Sequence, residues 1–246
     1  MISTVNKVAI VTGASRGIGA AIAHRLARDG FAVAVNYASK AEEADAVVAA
    51  LRQQGARAIA VKADVADSTD VRRLFDETEA QLGKVDVLVN NAGILKTVPL
   101  ADTSDAVYQQ HFDVNVKGTF NTLREAAARL NRGGRIINFS STTLAMNMPG
   151  YAIYNGTKAA VEAFTRTFAN ELRGRAITVN AVAPGPVETE LFMNGKSPEL
   201  VDKMAKMAPL ERLGQPEDIA RVVSFLASPE GGWINGQVVR ANGGLA

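Results

Sequence analysis

The sequence predicts an α/β fold in which a doubly wound, parallel, seven-stranded sheet is covered by helices on both faces. Three observations lead to this prediction: β-branched runs alternate with stretches of helical period, a glycine-rich turn follows the first run, and no repeat or linker interrupts the chain. At 246 residues with 47% hydrophobic content, the chain is long enough for a single domain, residues 1–246, with a full core. Right-handed crossovers between strands complete the arrangement.

The elements follow one another in a regular order. The predicted strands are residues 7–11, 31–36, 57–62, 85–90, 135–140, 177–182 and 237–240. The predicted helices between them are residues 17–29, 41–54, 69–82, 104–130, 152–172 and 216–227. Ser68 and Gln215-Pro216 are typical start signals for two of these helices. Gly30, Gly55 and Gly83 follow three of them and predict left-handed caps.

Composition excludes several classes of protein. The chain has no cysteine and two histidines, His24 and His111, so disulfides and the usual Cys/His zinc sites are excluded and no metal site is predicted. The formal charge is +2 and the basic residues are dispersed among acids, which predicts no nucleic-acid partner. Neither residues 1–6 nor any other stretch approaches the roughly 20 apolar residues that cross a bilayer, so we expect a soluble, cytoplasmic protein without a membrane partner.

One long segment, residues 184–213, departs from the alternation of strands and helices. It is rich in Pro, Leu and Met. A segment that follows the carboxyl end of a strand lies where open α/β sheets bind ligands. Residues 190–213 are therefore predicted to form a substrate-binding lid. The alternative is a surface helix whose apolar residues pack on the core.

The glycine-rich turn contains Gly13, Gly17 and Gly19 between the first strand and the first helix. Backbone N–H groups and the positive end of the helix dipole converge on an anion at such a turn. Gly13 permits the tight turn, Gly17 lets a pyrophosphate come close, and Gly19 lets the helix approach the sheet. The spacing is GxxxGxG rather than the usual GxGxxG, and a tight turn without a ligand is the alternative.

The end of the second strand favours one form of the cofactor. An NAD site usually has Asp or Glu there to accept from the ribose 2′-hydroxyl. This chain has Asn36 and Tyr37, followed by Ser39 and Lys40, so no carboxylate repels a 2′-phosphate. Together with Arg16, Ser39 and Lys40 can donate charge-assisted hydrogen bonds to that phosphate. This predicts NADP(H) rather than NAD(H); the alternative is that these charges are merely solvated.

Several motifs occur in the order and at the spacing of a known family. They are Thr12 to Gly19, Asp64-Val65, Asn90-Asn91-Ala92-Gly93, Asn115, Ser141, Tyr154-x-x-x-Lys158 and Pro184-Gly185. Across essentially the whole chain they resemble the short-chain dehydrogenase/reductase family. The resemblance implies a Rossmann fold and an NAD(P)-dependent oxidoreductase that acts on CH–OH and C=O groups.

The resemblance also implies which residues bind the cofactor and which react. The implied cofactor-binding residues are Gly13, Ser15, Arg16, Gly17, Ile18, Gly19, Asn36, Tyr37, Ser39, Lys40, Asp64, Val65, Asn91, Ala92, Gly93, Tyr154, Lys158, Pro184, Gly185, Val187 and Thr189. Asp64 and Val65 would lie against the adenine, and residues 184–189 would hold the nicotinamide carboxamide. The implied catalytic tetrad is Asn115, Ser141, Tyr154 and Lys158.

The tetrad suits the reduction of a carbonyl group. Hydride addition leaves an alkoxide, which needs a proton donor, and Tyr154 is the predicted donor. A Lys158 ammonium about 5 Å away, at an effective dielectric near 20, is expected to lower the Tyr154 pKa by about two units. Ser141, rather than the adjacent Ser140, is predicted to hold the substrate oxygen. Asn115 is expected to order a water that relays protons to Lys158; the alternative is an Asn satisfied by backbone.

The substrate is less determined by the sequence. Apolar residues Leu95, Leu144, Met146, Met148 and Tyr151 are expected to share the pocket with the lid, which favours an apolar ketone or ketoester; core packing is the alternative. Within the family, the chain is most similar to bacterial 3-oxoacyl-acyl-carrier-protein reductases, which reduce a 3-oxoacyl thioester. A general NADPH carbonyl reductase, a sugar or polyol dehydrogenase, and a non-catalytic dinucleotide-sensing protein remain as alternatives.

Two expectations about partners rest on the resemblance. Arg132 and Arg175 lie where such reductases carry arginines that meet the acidic acyl carrier protein; the alternative is that both are cations at helix ends. The family commonly forms homotetramers, which predicts pairing of residues 104–130 and 152–172 into a four-helix interface. A second contact would use residues 216–240.

Overall fold

Residues 7–246 are described by a computed structural model and form a seven-stranded parallel sheet covered by helices on both faces. The strands are β1 (Val8–Val11), β2 (Ala32–Tyr37), β3 (Ala58–Lys62), β4 (Val85–Asn90), β5 (Arg135–Phe139), β6 (Thr178–Pro184) and β7 (Val238–Ala241). The helices are α1 (Gly17–Arg28), α2 (Ala41–Gln53), α3 (Ser68–Gln81), α4 (Asp105–His111), α5 (Gly118–Arg129), α6 (Thr143–Met146), α7 (Ala152–Glu171), α8 (Glu190–Met193), α9 (Pro198–Lys206) and α10 (Pro216–Ala227). The expectations for residues 1–6 lie outside the described residues.

The strand order is β3-β2-β1-β4-β5-β6-β7 with every pair parallel, which confirms the predicted doubly wound sheet. The register places Val11 beside Val35 on β2 and Val89 on β4. The winding reverses between β1 and β4, and ligands bind at the carboxyl ends of strands next to such a switch point. The glycine-rich turn therefore begins at this crevice.

Alternating side chains on the strands build two hydrophobic cores. On β1, Ala9 and Val11 pack with α1, α2 and α10 on one face of the sheet. Val8 and Ile10 pack with α3, α5 and α7 on the other face. Because both faces are covered, the strands read as continuous apolar runs. Among the helices of residues 7–246, none is long and apolar enough to span a bilayer.

The helix predicted over residues 104–130 is wrong as a single α-helix. The structure has α4, then a π-helical segment, Phe112–Lys117, and then α5. A π-helical turn carries an extra residue and often occurs at functional sites. Asn115 lies within it, and its side chain is anchored on the neighbouring loop and on α7. The hydrophobic period of the sequence does not reveal such an insertion.

Other boundaries differ by smaller amounts. Helix α3 begins at Ser68, because the Asp67 carboxylate, rather than the Ser68 hydroxyl, accepts from the backbone N–H of Thr69 at 2.7 Å. Helix α10 begins as predicted, with a capping box between Gln215 and Asp218. The predicted lid contains α8 and α9, and α6 and a 3₁₀ turn at Leu100–Asp102 were not expected.

Candidate active site

The glycine-rich turn is held by polar side chains from three strands. The Asn36 Oδ1 accepts from the Gly13 N–H at 3.2 Å. The Asn36 Nδ2 donates to the carbonyls of Val61 and Ala63, at the carboxyl end of β3. The Asn91 Nδ2 donates to the carbonyls of Thr12 and Gly13, both at 2.9 Å. The Thr12 hydroxyl accepts from the N–H groups of Asn91 and Ala92 at 3.1 and 3.0 Å. Asn36, Asn91 and Thr12 thus fix the shape of the turn from beneath.

Two glycines of the turn lie where no side chain fits. A Cβ on Gly19 would lie 2.4 Å from the Gly13 carbonyl oxygen. A Cβ on Gly13, whose φ is +61°, would lie 2.9 Å from the Ala92 Cα. Gly17 has φ +56°, but a Cβ there would meet only the Thr189 side chain, at 3.6 Å, so space remains on the outer side of Gly17. The turn is a close-packed backbone cradle with one open side.

The first turn of α1 suits a pyrophosphate. Its N-cap residue, Arg16, makes no side-chain cap, and the first turn contains no acid. The backbone N–H groups of Gly17, Ile18 and Gly19 therefore stay available to an anion. Ser15 and Ile18 are half-buried beside them. The residues present fit a dinucleotide.

The residues predicted for a 2′-phosphate already have acidic partners. The Arg16 Nη1 donates to the Glu190 carboxylate at 2.8 Å and lies 4.0 Å from Glu43. The Lys40 Nζ lies 3.6 Å from the same Glu43. Ser39 and Lys40 are exposed after β2, and Tyr37 is half-buried. A bound phosphate would compete with Glu190 for Arg16.

Asp64 and Val65 follow β3. The Asp64 carboxylate accepts from the Ala66 N–H at 2.9 Å and so orders the turn before α3. Val65 is buried, and a Cβ on Gly118 would lie 2.6 Å from its Cγ2. The Val65 side chain packs against α5, and its carbonyl accepts from the Asn121 Nδ2 at 2.9 Å.

Residues after β6 approach the glycine-rich turn from the other side. Gly185 follows Pro184, and a Cβ there would lie 2.9 Å from the Asn242 Cα. Val187 is buried and pairs with Gly214. Thr189 caps α8 by accepting from the Phe192 N–H at 3.2 Å. This segment carries the chain from the sheet to the predicted lid.

Tyr154 and Lys158 share α7, as their spacing predicts. The Lys158 ammonium is buried, lies 5.5 Å from the centroid of the Tyr154 ring and donates to the Phe139 carbonyl at 2.9 Å. That is its one hydrogen bond within residues 7–246, so its two other N–H groups have no protein partner there. Gly93 lies alongside: a Cβ there would be 3.6 Å from the Lys158 Nζ.

Ser141 follows β5, and its hydroxyl interacts with the Tyr154 phenol, which opposes the rise that burial causes in the pKa of that phenol. The adjacent Ser140 is buried and donates instead to the Glu162 carboxylate at 2.6 Å. Of the two serines, Ser141 therefore lies beside the phenol. Tyr154, Lys158 and Ser141 converge at the carboxyl edge of the sheet, next to the glycine-rich turn.

Comparison with known proteins identifies the family. A family model described as enoyl-(acyl carrier protein) reductase matches residues 13–246. A short-chain type dehydrogenase/reductase of Picea abies is 50% identical over 248 residues, covering 97% of this chain and 92% of that protein. The chain belongs to the short-chain dehydrogenase/reductase family.

Two further members of this family are similar over nearly their whole length. A 3-oxoacyl-[acyl-carrier-protein] reductase of Staphylococcus epidermidis is 45% identical over 242 residues, covering 98% of this chain and 99% of that protein. A short-chain dehydrogenase of Burkholderia cenocepacia J2315, crystallised in complex with NADP, superposes with a TM-score of 0.93 at 39% identity and covers 97% of both chains. The family, the oxidoreductase class and the fold expected from the sequence are confirmed.

The expected decrease in the Tyr154 pKa is wrong for the cofactor-free protein. Burial raises the pKa of Tyr154 to about 12, although the hydrogen bond with Ser141 opposes the rise. Burial also lowers the pKa of Lys158 to about 8. Both shifts have one cause, since a low-dielectric site disfavours the charged form of each group. The decrease was expected from the attraction between the two charges, whereas burial removes both groups from water and shifts each pKa the other way.

Asn115 makes three side-chain hydrogen bonds to protein. Its Oδ1 accepts from the Ile94 N–H at 2.8 Å, and its Nδ2 donates to the Ile94 carbonyl at 3.0 Å and the Thr157 hydroxyl at 3.1 Å. Asn115 thus ties the loop after β4 to α7. This geometry matches the alternative of a satisfied, buried Asn, and the water relay stays a prediction.

Of the apolar residues expected to share the pocket, Tyr151 lies directly beside Tyr154. Tyr151 is buried and meets the Tyr154 ring edge-on, with centroids 6.4 Å apart. Leu144, Met146 and Met148 on and after α6 are half-buried, as is Leu95. In the predicted lid, Leu191 is 56% exposed, whereas Met204 is buried. The lid helices thus combine core packing with exposed apolar side chains.

The two arginines expected to meet a carrier protein bind backbone carbonyls. Arg175 donates through its Nη1 to Ala127 and through its Nη2, at 2.6 Å, to Leu130. Arg132 is exposed and donates to the Gly174 carbonyl at 2.6 Å. Arg175 therefore neutralises the end of α5, in keeping with the alternative of helix-end cations.

Sequence reasoning missed several polar residues of the site. Thr12 links β1 to β4, Thr157 receives Asn115, and Thr143 and Asn155 form hydrogen bonds beside Ser141. Asn155 and Thr157 lie within the Tyr-to-Lys motif, so their positions offered a signal. Thr143 offered none, because its contact with Asn155 spans 12 positions in the sequence.

Proposed function

We propose that this protein is an NADPH-dependent reductase that converts a ketone into a secondary alcohol, with Tyr154 as the general acid. The observation that carries the proposal is the convergence of a protonated phenol, a hydroxyl and a buried ammonium beside an anion-binding turn. These are the groups that a carbonyl oxygen needs as it gains charge.

The protein's own groups would act on the carbonyl oxygen and the proton. When bound, the nicotinamide cofactor supplies the hydride. The Ser141 hydroxyl holds the carbonyl oxygen, and Tyr154 donates its phenolic proton to that oxygen as negative charge develops. The Lys158 ammonium, 5.5 Å from the ring centroid, then stabilises the phenolate. At an effective dielectric near 20 this attraction is worth about 3 kcal/mol.

Three observations support NADP(H) as the cofactor. The Burkholderia relative was crystallised with NADP. In this chain, Asn36 rather than a carboxylate ends the buried part of β2, and its side chain is bound to Gly13 and β3. Arg16, Ser39 and Lys40 gather at the adjoining surface and can donate to a 2′-phosphate once Glu190 releases Arg16.

The proposed substrate is a 3-oxoacyl thioester or a related apolar ketone or ketoester. The Staphylococcus relative is named for the acyl-carrier-protein thioester. The buried Tyr151 ring beside Tyr154 favours an acyl chain over a sugar. A carrier protein would be met mainly by Arg132, which is exposed, because the Arg175 guanidinium is used by the end of α5.

The proposed assembly is a homotetramer. On α5, Phe120 is 46% exposed, and Ala163 and Thr167 on α7 are exposed as well. Near the second expected contact, Phe225 is 41% and Trp233 is 99% exposed. Apolar side chains of this size are costly to leave in water. Size-exclusion chromatography with light scattering tests the proposal, and a homogeneous monomer would contradict it.

A substrate panel tests the function. NADPH and NADH oxidation should be compared with a 3-oxoacyl thioester, a β-ketoester, an aryl ketone, a sugar and an enoyl thioester, the last because of the family model's description. We expect oxidation of NADPH with the thioester and the ketoester. A strong preference for NADH would refute the phosphate-binding role of Arg16, Ser39 and Lys40. Reduction of the enoyl thioester alone would refute carbonyl reduction.

A further inference from the structure

A short hydrogen-bonded chain links Ser141 to Thr143 and Asn155. The Thr143 Oγ1 lies 2.9 Å from the Ser141 Oγ and 2.7 Å from the Asn155 Oδ1. The Asn155 Nδ2 donates to the Thr143 carbonyl at 3.1 Å, and the Thr143 N–H donates to the Ser141 Oγ at 3.3 Å. Thr143 and Asn155 both lie outside the tetrad; Thr143 contacts the Ser141 hydroxyl directly, and Asn155 contacts Thr143.

The direction of the hydrogen bonds follows from counting hydrogens. A carbonyl oxygen cannot donate, so the bond to the Thr143 carbonyl identifies the amide nitrogen of Asn155 and turns its Oδ1 toward the Thr143 hydroxyl. That Oδ1 cannot donate either, so the Thr143 hydroxyl donates to it and uses its single hydrogen. Toward Ser141, Thr143 is then left with lone pairs only. The Ser141 hydroxyl is therefore the donor across the 2.9 Å contact.

We propose, on the basis of the proposed function, that Thr143 and Asn155 are positioning residues that fix the direction of the Ser141 hydroxyl. Before substrate binds, its hydrogen points to Thr143. An incoming carbonyl oxygen, itself an acceptor, draws the Ser141 hydrogen into the cleft. The Thr143 hydroxyl then turns to donate to the serine oxygen and, together with the Thr143 N–H, holds it in place.

The first test is Thr143→Val, which keeps the shape of the side chain and removes its hydroxyl. We expect kcat for ketone reduction to fall about tenfold, the effect of one well-placed hydrogen bond, while KM stays within about twofold. Thr143→Ser keeps the hydroxyl and should restore kcat. Asn155→Leu alone should lower kcat. Combined with Thr143→Val it should cause no further decrease in kcat, because both changes act through the same hydroxyl.

The second test repeats Thr143→Val in a Ser141→Ala background, measured by single turnover. We expect no further loss of rate there, because the hydroxyl that Thr143 orients is missing. An equal loss in both backgrounds, or no loss in either, would overturn the proposal. Thr142→Val is the matched control: this neighbouring hydroxyl donates to the Ala183 carbonyl and accepts from Asn242, both at 3.2 Å, and within residues 7–246 it forms no hydrogen bond with Ser141, so kcat should stay within about twofold.

A third measurement separates failure of this proposal from failure of the proposed function. If the wild type reduces no ketone, the proposed function fails. The positioning role is then read from high-resolution crystal structures, where the Ser141 side chain should occupy one rotamer in the wild type and several in Thr143→Val. One rotamer in both proteins would overturn the positioning role whatever the activity.

Discussion

Replacing Lys158 by methionine should stabilise the cofactor-free protein while removing its activity. Lys158 is 5% exposed, and burial lowers its pKa from 10.5 to about 8. A difference of about 2.5 between the unfolded and folded pKa corresponds to about 3 kcal/mol of stability lost to the buried charge. The variant regains this free energy but no longer donates to the Phe139 carbonyl, which costs about 1–2 kcal/mol. We therefore expect a net gain of about 1–2 kcal/mol at pH 7.

The pH dependence is the sharper part of this prediction. Below about pH 8, both the folded and the unfolded protein carry the charge, so the folded state bears the whole cost. Between pH 8 and 10.5, the folded lysine is neutral while the unfolded lysine is still charged, so the cost falls as the pH rises. At pH 9.5 the cost is about 1 kcal/mol, so the advantage of the variant should shrink by about 2 kcal/mol from pH 7.

The assay is denaturant unfolding of both proteins at pH 7 and pH 9.5, at one protein concentration because assembly would contribute to stability. Lys203→Met, at an exposed position on α9, is the control and should change stability by less than about 0.5 kcal/mol at either pH. A stability difference for Lys158→Met that stays the same at both pH values would refute the reasoning, since it would mean that the lysine is not desolvated.

Three further predictions follow from the site. Gly19→Ala places a Cβ 2.4 Å from the Gly13 carbonyl oxygen and should weaken NADPH binding at least about tenfold by fluorescence titration; unchanged affinity would contradict the close packing. Glu190→Gln removes the carboxylate 2.8 Å from Arg16 and should tighten NADPH, but not NADH, about two- to fivefold at low salt. The reduction rate should fall as the pH rises through about 8, where Lys158 loses its charge; a rate that stays unchanged up to pH 10 would contradict this prediction.

Periodicity and turn chemistry in the sequence were enough to predict the fold. Each buried parallel strand is a short apolar run, and each run is followed by an amphipathic helix, so the alternation leaves few topologies open. The π-helical segment was missed because one inserted residue barely alters the apolar period of a long helix. It matters for the site, since Asn115 lies there and ties α7 to the loop after β4.

The candidate site was predicted only as far as motifs can identify residues. The spacing of Tyr154 and Lys158 fixed their shared helix face, but the rise in the Tyr154 pKa comes from burial that a sequence does not show. Likewise, the charges near the 2′-phosphate position were visible, whereas the Arg16 partner is Glu190, 174 positions away. Contacts between distant segments are set by tertiary packing.

The measurement that tests the central claim most directly is hydride transfer in Tyr154→Phe. The variant keeps the ring and loses only the phenolic oxygen, so NADPH binding should stay within about twofold of the wild type. Stopped-flow oxidation of bound NADPH by a β-ketoester should slow by about 10²–10⁴, the usual contribution of a positioned acid. Reduction at the wild-type rate would contradict the assignment of Tyr154 as the proton donor.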